Sequence, residues 1–248
     1  MNESVIVTDD SGVRTVRMNR PEKKNALTQA MYGDMTRALR EADASDSIRC
    51  VMLAGAQGAF CAGNDIADFL QAAQGGSDLR ALSFIEEIAR NQTPKVAAVS
   101  GVAIGIGTTM LLHCDHVVAG ADATFSTPFL KLGLLPEAAS TLLAPMRMGY
   151  ARAFSLLAMG RPLSAAEAKE AGIVNTVVDA AEVDAAALNA AREIAALPPK
   201  ALAVTRSLMR GQIDEIIKRL ELESRHFKDL LQSDEARAAF QAFLARKK

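Results

Sequence analysis

The sequence predicts an α/β fold with parallel strand pairing. Short apolar runs rich in β-branched residues, at 50–54 and 96–99, alternate with stretches whose apolar residues recur every three or four positions. Glycine-rich turns stand between the strand and helix patterns, the arrangement expected of βαβ connections. The 248 residues, half of them hydrophobic, fit one large domain or one domain with a small appendage. A chain of this length buries roughly three quarters of its unfolded surface and needs no disulfide or metal staple.

The first elements read as a hairpin. Residues 5–7 and 13–18 are β-rich, and Asp9-Asp10-Ser11-Gly12 between them is turn chemistry. Asn19-Arg20-Pro21 ends the second strand. Leu27, Met31, Met35, Leu39 and Ala42 share one face of a helix predicted over about 25–42. Residues 50–54 form a short apolar strand closed by Gly55. A second round follows: Leu79, Leu82, Ile85, Ile88 and Ala89 mark a helix that Thr93-Pro94 stops. Residues 96–99 are the next strand, 101–107 a glycine turn, and a helix runs through Leu112. Residues 116–119 and the segment around Phe125 return as strands. The recurring unit hints at a spiral of similar turns.

From Ser164 onward the pattern is mainly helical. Ser164 and Glu167 form a capping box, and Gly172 is placed to end that short helix. Residues 174–178 read as one last strand. Pro198-Pro199 breaks an alanine-rich helix, which divides the chain into a core over 1–195 and a helical extension over 196–248. Ile213, Ile216, Ile217, Leu220, Phe227, Leu230 and Leu231 form an apolar stripe in that extension. Two partners suit the stripe, the chain's own domain or a second subunit.

With 28 basic and 29 acidic side chains, net charge −1, there is no electrostatic footprint for nucleic acid or an anionic membrane. Cys50, Cys61 and Cys114 lie far apart, and the start of the chain has no signal-like pattern, so reduced thiols and a cytoplasmic setting are expected. The uncharged run at 96–112 is interrupted by Gly101, Gly105 and Gly107. It reads as a buried strand, a turn and a helix start rather than a membrane span.

Two segments share one design, a strand, a small-residue turn, then a helix. They are Ala59-Phe60-Cys61-Ala62-Gly63-Asn64-Asp65-Ile66 and Gly101-Val102-Ala103-Ile104-Gly105-Ile106-Gly107. At such turns the first helical N–H groups have no intrahelical partner, and glycine lets backbone approach a ligand closely. Two such turns that converge can grip one oxygen atom. A thioester carbonyl suits that grip, because proton loss at carbon-2 drives negative charge onto its oxygen. Each preorganised donor is then worth roughly a hundred- to a thousand-fold in rate.

These turns, with Asn19-Arg20-Pro21 and Asn25-Ala26-Leu27 before them, resemble the crotonase superfamily. Residues 125–136, 160–164 and 172–175 extend the likeness over nearly the whole chain. The resemblance implies a crotonase-like spiral of repeated ββα units and a helical C-terminal region that trimerises. It also implies an acyl-CoA thioester substrate, with coenzyme A as part of that substrate and no separate cofactor or metal. Carried over by position, the oxyanion N–H groups belong to Asn64 and Ile106. Ala62, Gly63, Asp65 and Ile66 contact the CoA moiety, and Lys24 and Ala26 line its entrance, although Lys24 is equally readable as a solvated surface lysine. A homotrimer or a dimer of trimers is the implied assembly, with no nucleic-acid or membrane partner.

The hydratases of this superfamily hold a water between two glutamates. Here those positions are Thr109 and Phe129, neither of which moves a proton as a carboxylate does. A different carboxylate is available: Gly133-Leu134-Leu135-Pro136-Glu137-Ala138 resembles the motif supplying the single base of 3-enoyl-CoA to 2-enoyl-CoA isomerases. In that pattern glycine usually follows the glutamate, and here it is Ala138. Apolar surroundings would raise the proton affinity of Glu137. The competing role for Glu137 is to cap the helix that follows it.

Other candidates have less support. His113 and His116 flank Cys114 and Asp115 without a further ligand cluster, which favours structural histidines. Asp68 is a minor acid candidate, and Ser126 and Thr127 have no histidine near in sequence for a nucleophilic triad. Phe69, Phe84 and Phe129 hint at an apolar acyl pocket. Three functions therefore stand: an enoyl-CoA isomerase with Glu137 as base, an enoyl-CoA hydratase, or a catalytically silent acyl-CoA-binding homologue.

Overall fold

The structure, a computed structural model, describes residues 4–56, 58–74 and 79–245. The first three residues and 246–248, parts of the chain start and of the C-terminal extension, lie outside the described residues. Strands β1 (Val5–Asp10) and β2 (Val13–Met18) form the expected antiparallel hairpin. Ser11 and Gly12 turn it, both at positive φ. Helix α1 (Gln29–Asp43) begins later than its apolar periodicity predicts. Asn25 sits at φ +57, which a helix cannot contain, and the Thr28 side chain caps the true start by accepting the Met31 N–H.

The chain then winds through three similar turns. Strand β3 (Cys50–Gly55) lies parallel to β2 and leads past Cys61 into α2 (Ile66–Gln74) and α3 (Arg80–Arg90). Strand β4 (Lys95–Val99) pairs parallel with β3 and leads into β5 (Val102–Ile104) and the short α4 (Ile106–Thr109). Residues expected to be only a turn thus contain a strand, and α4 tightens at once into a 3₁₀ turn over Met110–His113. Strand β6 (His116–Gly120) pairs parallel with β4 and leads into β7 (Thr124–Ser126). Each turn lays one strand into a large sheet and a shorter segment into a small one. In the small sheet Cys61 bridges Ala103, and β5 runs parallel to β7.

The rest of the chain wraps this spiral. Helices α5 (Ser140–Met148) and α6 (Tyr150–Leu157) precede β8 (Leu163–Ser164), which joins the small sheet. The capping box at Ser164 and Glu167 opens α7 (Ala165–Glu170), and β9 (Thr176–Val178) ends the large sheet. Helices α8 (Val183–Ala196), α9 (Pro199–Arg210), α10 (Ile213–Leu231) and α11 (Asp234–Ala245) follow. The large sheet has the order β1-β2-β3-β4-β6-β9 and is parallel except at the β1 edge.

Strand alternation divides the core in two. Cys50, Met52, Ala54, Val96, Ala98 and Val118 face α8 through Val183, Ala187 and Ala191. Val51, Leu53, Ala97, Val99 and Val117 face the main core against α1 and α3. The C-terminal stripe packs on its own chain: Ile216, Ile217 and Leu220 join the main core. Phe227, Leu230 and Leu231 join a separate apolar cluster with Phe69 and Phe129. From α9, Arg206 meets Asp115 at 2.8 Å and ties the extension to the core. The uncharged run at 96–112 is buried strand and helix, and no helix among the described residues is long and apolar enough to cross a membrane.

Candidate active site

The spiral brings the two glycine turns into backbone contact. Cys61 donates to Val102 O at 3.0 Å and accepts from the Ile104 N–H at 2.8 Å. A Cβ built on Gly63 would lie 3.1 Å from Ile104 O, and one on Gly105 would lie 4.0 Å from Gly63 Cα. Both glycines have positive φ, +87 and +58. The parallel bridge between Leu27 and Asn64 uses Gly63 O and the Asp65 N–H, so the Asn64 N–H is directed away from Leu27. Ile106 is the first residue of α4 and has no intrahelical acceptor, while Thr108 and Thr109 donate back to Gly105 O. Two amide donors on abutting turns are an arrangement that can stabilise one developing oxyanion.

The segment around Arg20, Asn25 and Asp65 is tied together by buried and part-buried polar contacts. Asn25 accepts from the Arg20 N–H and donates to Ala56 O and Ala59 O at 3.0 and 2.8 Å, so its left-handed backbone is held by its own side chain. Arg20 donates to Ala26 O and pairs with Asp65 at 3.1 Å. The Ala62 N–H donates to Lys24 O, and Lys24 itself is exposed. Lys24, Ala26 and residues 62–66 therefore form one continuous rim. Burial opposes ionisation of Asp65, but the Asp68 N–H and Arg20 outweigh it and hold the carboxyl below its ordinary range. Asp68 accepts the Gln29 N–H at 2.7 Å and caps α1, which assigns it a structural contact.

Glu137 lies in the loop before α5, 6% exposed, with Oε1 buried and without a hydrogen-bond partner. Burial, with the nearby Glu223 adding to it, pushes its carboxyl up to about 8. Its side chain does not cap α5. The amides at that helix start, Ala139 and Thr141, donate to Glu223 of α10 instead, at 2.7 and 3.0 Å. The charge of Glu137 is felt at Tyr32 and at Cys61, whose phenol and thiol are raised mainly by burial, the thiol to about 12.

Tyr32 is the site residue that sequence reasoning passes over. It is fully buried, and its hydroxyl donates to Asn64 Oδ1 at 2.6 Å, linking α1 to the first turn. The available signal is the one aromatic ring among the buried residues of α1. Phe84 packs on its ring with centroids 5.5 Å apart and so belongs to the core beneath the site. Phe69 and Phe129 instead share the apolar cluster under α10 and α11.

The two positions beside the second turn carry no carboxylate. Thr109 is buried with Oγ1 3.4 Å from Gly105 O, and Phe129 Cζ lies 3.8 Å from a Cβ built on Gly105. His113 pairs through Nε2 with Ala138 O at 2.8 Å, and burial pushes it down to about 3. Neutral at ordinary pH, it therefore donates to that carbonyl and holds the turn after Glu137. Ser126 O accepts the Gly105 N–H and Thr127 Oγ1 donates to Leu156 O, both structural contacts. Among the described residues, no group of three or more His, Cys, Asp or Glu side chains is placed to hold a metal ion.

Known proteins resemble the chain along its whole length. The 1,2-epoxyphenylacetyl-CoA isomerase of Escherichia coli strain K12 is 32% identical over 255 residues, covering 100% of this chain and 97% of that protein. Human enoyl-CoA delta isomerase 2 is 34% identical over 99% of this chain, which spans 64% of that longer protein. The solved enoyl-CoA hydratase/isomerase of Pseudoalteromonas atlantica T6c superposes with a TM-score of 0.94 at 37% identity, over 98% of each chain. Residues 8–248 match the profile described as enoyl-CoA hydratase/isomerase. With the ββα spiral and the abutting glycine turns, this places the chain in the enoyl-CoA hydratase/isomerase family, the crotonase superfamily.

Proposed function

We propose that the protein is an enoyl-CoA isomerase that moves a 3-enoyl-CoA double bond to the 2-position, with Glu137 as its single base. The observation that carries this reading is the Glu137 carboxyl itself, buried, unpartnered through Oε1 and raised to about 8, in electrostatic reach of Tyr32 and the first glycine turn. The carboxylate takes a proton from carbon-2. The electron pair moves onto the thioester oxygen, where the N–H groups of Asn64 and Ile106 receive the charge. The dienolate then collapses with a double bond between carbons 2 and 3, and Glu137 returns the proton to carbon-4. A base whose proton affinity lies near neutrality can perform both transfers.

Lys24, Ala26, Ala62, Gly63, Asp65 and Ile66 form the CoA contact rim in this scheme. A hydratase would need a second proton carrier beside the water, and Thr109 and Phe129 stand where that family places carboxylates. The subunits assemble as a trimer or a dimer of trimers, a reading supported by exposed Met146 of α5 and Met209 of α9 on one shared cavity, with Tyr150 and Phe154 of α6 also exposed. Three buried free cysteines fit a reducing, cytoplasmic setting.

The test is incubation with a 3-enoyl-CoA and, separately, a 2-enoyl-CoA, with products resolved by mass and absorbance. Conjugation of the 3-enoyl ester at unchanged mass is expected. Gain of one water by the 2-enoyl ester would make the protein a hydratase, and no change in either would leave an acyl-CoA-binding homologue.

A further inference from the structure

Glu223 lies on the apolar face of α10 between Leu220 and Phe227, and it is 4% exposed. A carboxylate in that position is costly unless its oxygens are bonded. Oε2 accepts the Ala139 N–H at 2.7 Å, and Oε1 accepts the Thr141 N–H at 3.0 Å and the Thr141 hydroxyl at 2.6 Å. Arg219 donates to the same hydroxyl at 3.0 Å. These amides open α5, which has no side-chain cap of its own. Immediately before them, Ala138 and Ala139 stand at φ +64 and +52. Two consecutive left-handed residues bearing side chains persist only where their surroundings hold them. Here Glu223 grips the turn from α10 and His113 grips Ala138 O from the other side.

We infer that Glu223 is a positioning residue for Glu137: its grip on Ala139 and Thr141 holds the left-handed turn that aims the Glu137 carboxyl, and its charge faces that carboxyl across a small shared cavity. The cavity is about 10 Å³, lined by Leu82 and Ile85 of α3, Leu220, Ser224 and Phe227 of α10, Ala138, and the two glutamates. The other titratable groups around Glu137 are Tyr32 on α1, Cys61 on the first turn, His113 on the 3₁₀ turn and Arg219 behind Thr141. Beyond burial, Glu223 is the charge that raises Glu137. The inference rests on Glu137 being the base proposed above.

Glu223→Gln removes the charge and leaves one oxygen to accept where two now do. Isomerisation kcat is expected to fall about tenfold or more at nearly unchanged KM. The acid limb of kcat/KM is expected to move to lower pH, because a like charge facing the base is gone. Adding Ala138→Gly to Glu223→Gln should recover most of the kcat, since glycine takes the left-handed turn unaided, while the limb stays at lower pH. A ¹³C-carboxyl NMR titration of Glu137 in the full-length protein reads the same downward shift without substrate. A folded Glu223→Gln protein with unmoved kcat and unmoved titration overturns the inference. So does failure of both variants to fold, which would make Glu223 a residue of the whole fold. Turnover that survives Glu137→Gln removes the proposed base; turnover lost there but untouched by Glu223→Gln removes only the positioning role of Glu223.

Discussion

At Gly63 and Gly105 the chain reaches positive φ with glycine, whereas at Ala138 and Ala139 it does so with side chains present. The glycine turns are held by backbone ladders, Cys61 to Ala103 and Leu27 to Asn64, within the first half of the chain. The Glu137 turn is held by Glu223 and His113, from a late helix and a 3₁₀ turn. The pair of glycine turns is thus built into the spiral by backbone pairing, with side chains such as Tyr32 and Thr108 adding to it. The base side is assembled from separate elements and depends on their packing. In the proposed scheme, donors fixed by backbone pairing and a carboxyl held by side chains of other elements suit a reaction in which one base serves two carbons.

The largest expected effect breaks the base side alone. Glu137→Gln should lower isomerase turnover by about a hundredfold or more while leaving CoA-ester affinity within about threefold, measured by single-turnover kinetics and equilibrium titration. The same variant has a pH signature. The folded Glu137 carboxyl sits at about 8 against an ordinary value of 4.5. Below pH 4.5 both states are protonated and the group costs nothing. Between 4.5 and 8 the unfolded chain gives up the proton while the folded one keeps it, so wild-type stability falls as pH rises. Glutamine escapes this loss. Its stability advantage should grow by about 1.4 kcal/mol for each pH unit crossed in that window, a few kcal/mol in all, and then level off. Urea midpoints at pH 5, 7 and 9 check it, and a constant gap would mean that Glu137 is ionised in the fold.

The next effect strikes the donor side. Gly105 combines φ +58 with ψ −121, and a Cβ there meets nothing closer than 3.8 Å. The cost of Gly105→Ala is therefore conformational rather than a clash, about 1–3 kcal/mol, because this φ/ψ pair lies outside the left-handed helical region that a residue with a Cβ can reach. It falls on the residue just before the Ile106 donor. Turnover should drop about tenfold, less than the hundred- to thousand-fold expected for outright loss of a donor. A drop as deep as that of Glu137→Gln would show that the turn cannot flex at all.

This contrast also explains what is legible in the sequence. The hairpin, the strands β3, β4 and β6, the helix α3 and the capping box at Ser164 follow from periodicity and turn chemistry, which are local. So does the presence of two glycine turns. Their convergence rests on the Cys61–Ala103 bridge, a pairing between distant residues that no local pattern announces. Glu223 leaves a trace, an acidic residue on the stripe of Leu220 and Phe227, but its partner lies in another loop. The start of α1 falls later than periodicity predicts because the stripe from Leu27 masks the left-handed Asn25, whose side chain is spent on Ala56 and Ala59.

Tyr32 joins the two sides, and its effect should be the smallest. Its hydroxyl donates to Asn64 Oδ1 at 2.6 Å, so Tyr32→Phe removes one hydrogen bond and leaves the ring packed on Phe84. A net loss of about 1 kcal/mol, if expressed wholly in the transition state, lowers turnover roughly fivefold. KM should stay nearly constant, because in the proposed scheme it is the Asn64 N–H, not its side chain, that meets the developing oxyanion. The phenol is raised well above its ordinary value by burial and then by Glu137, so it stays protonated across the working pH range and cannot serve as the base. A fivefold loss with an unmoved pH profile would mark Tyr32 as the brace of the donor turn. A loss approaching that of Glu137→Gln would instead make the hydroxyl a proton carrier and end the single-base scheme.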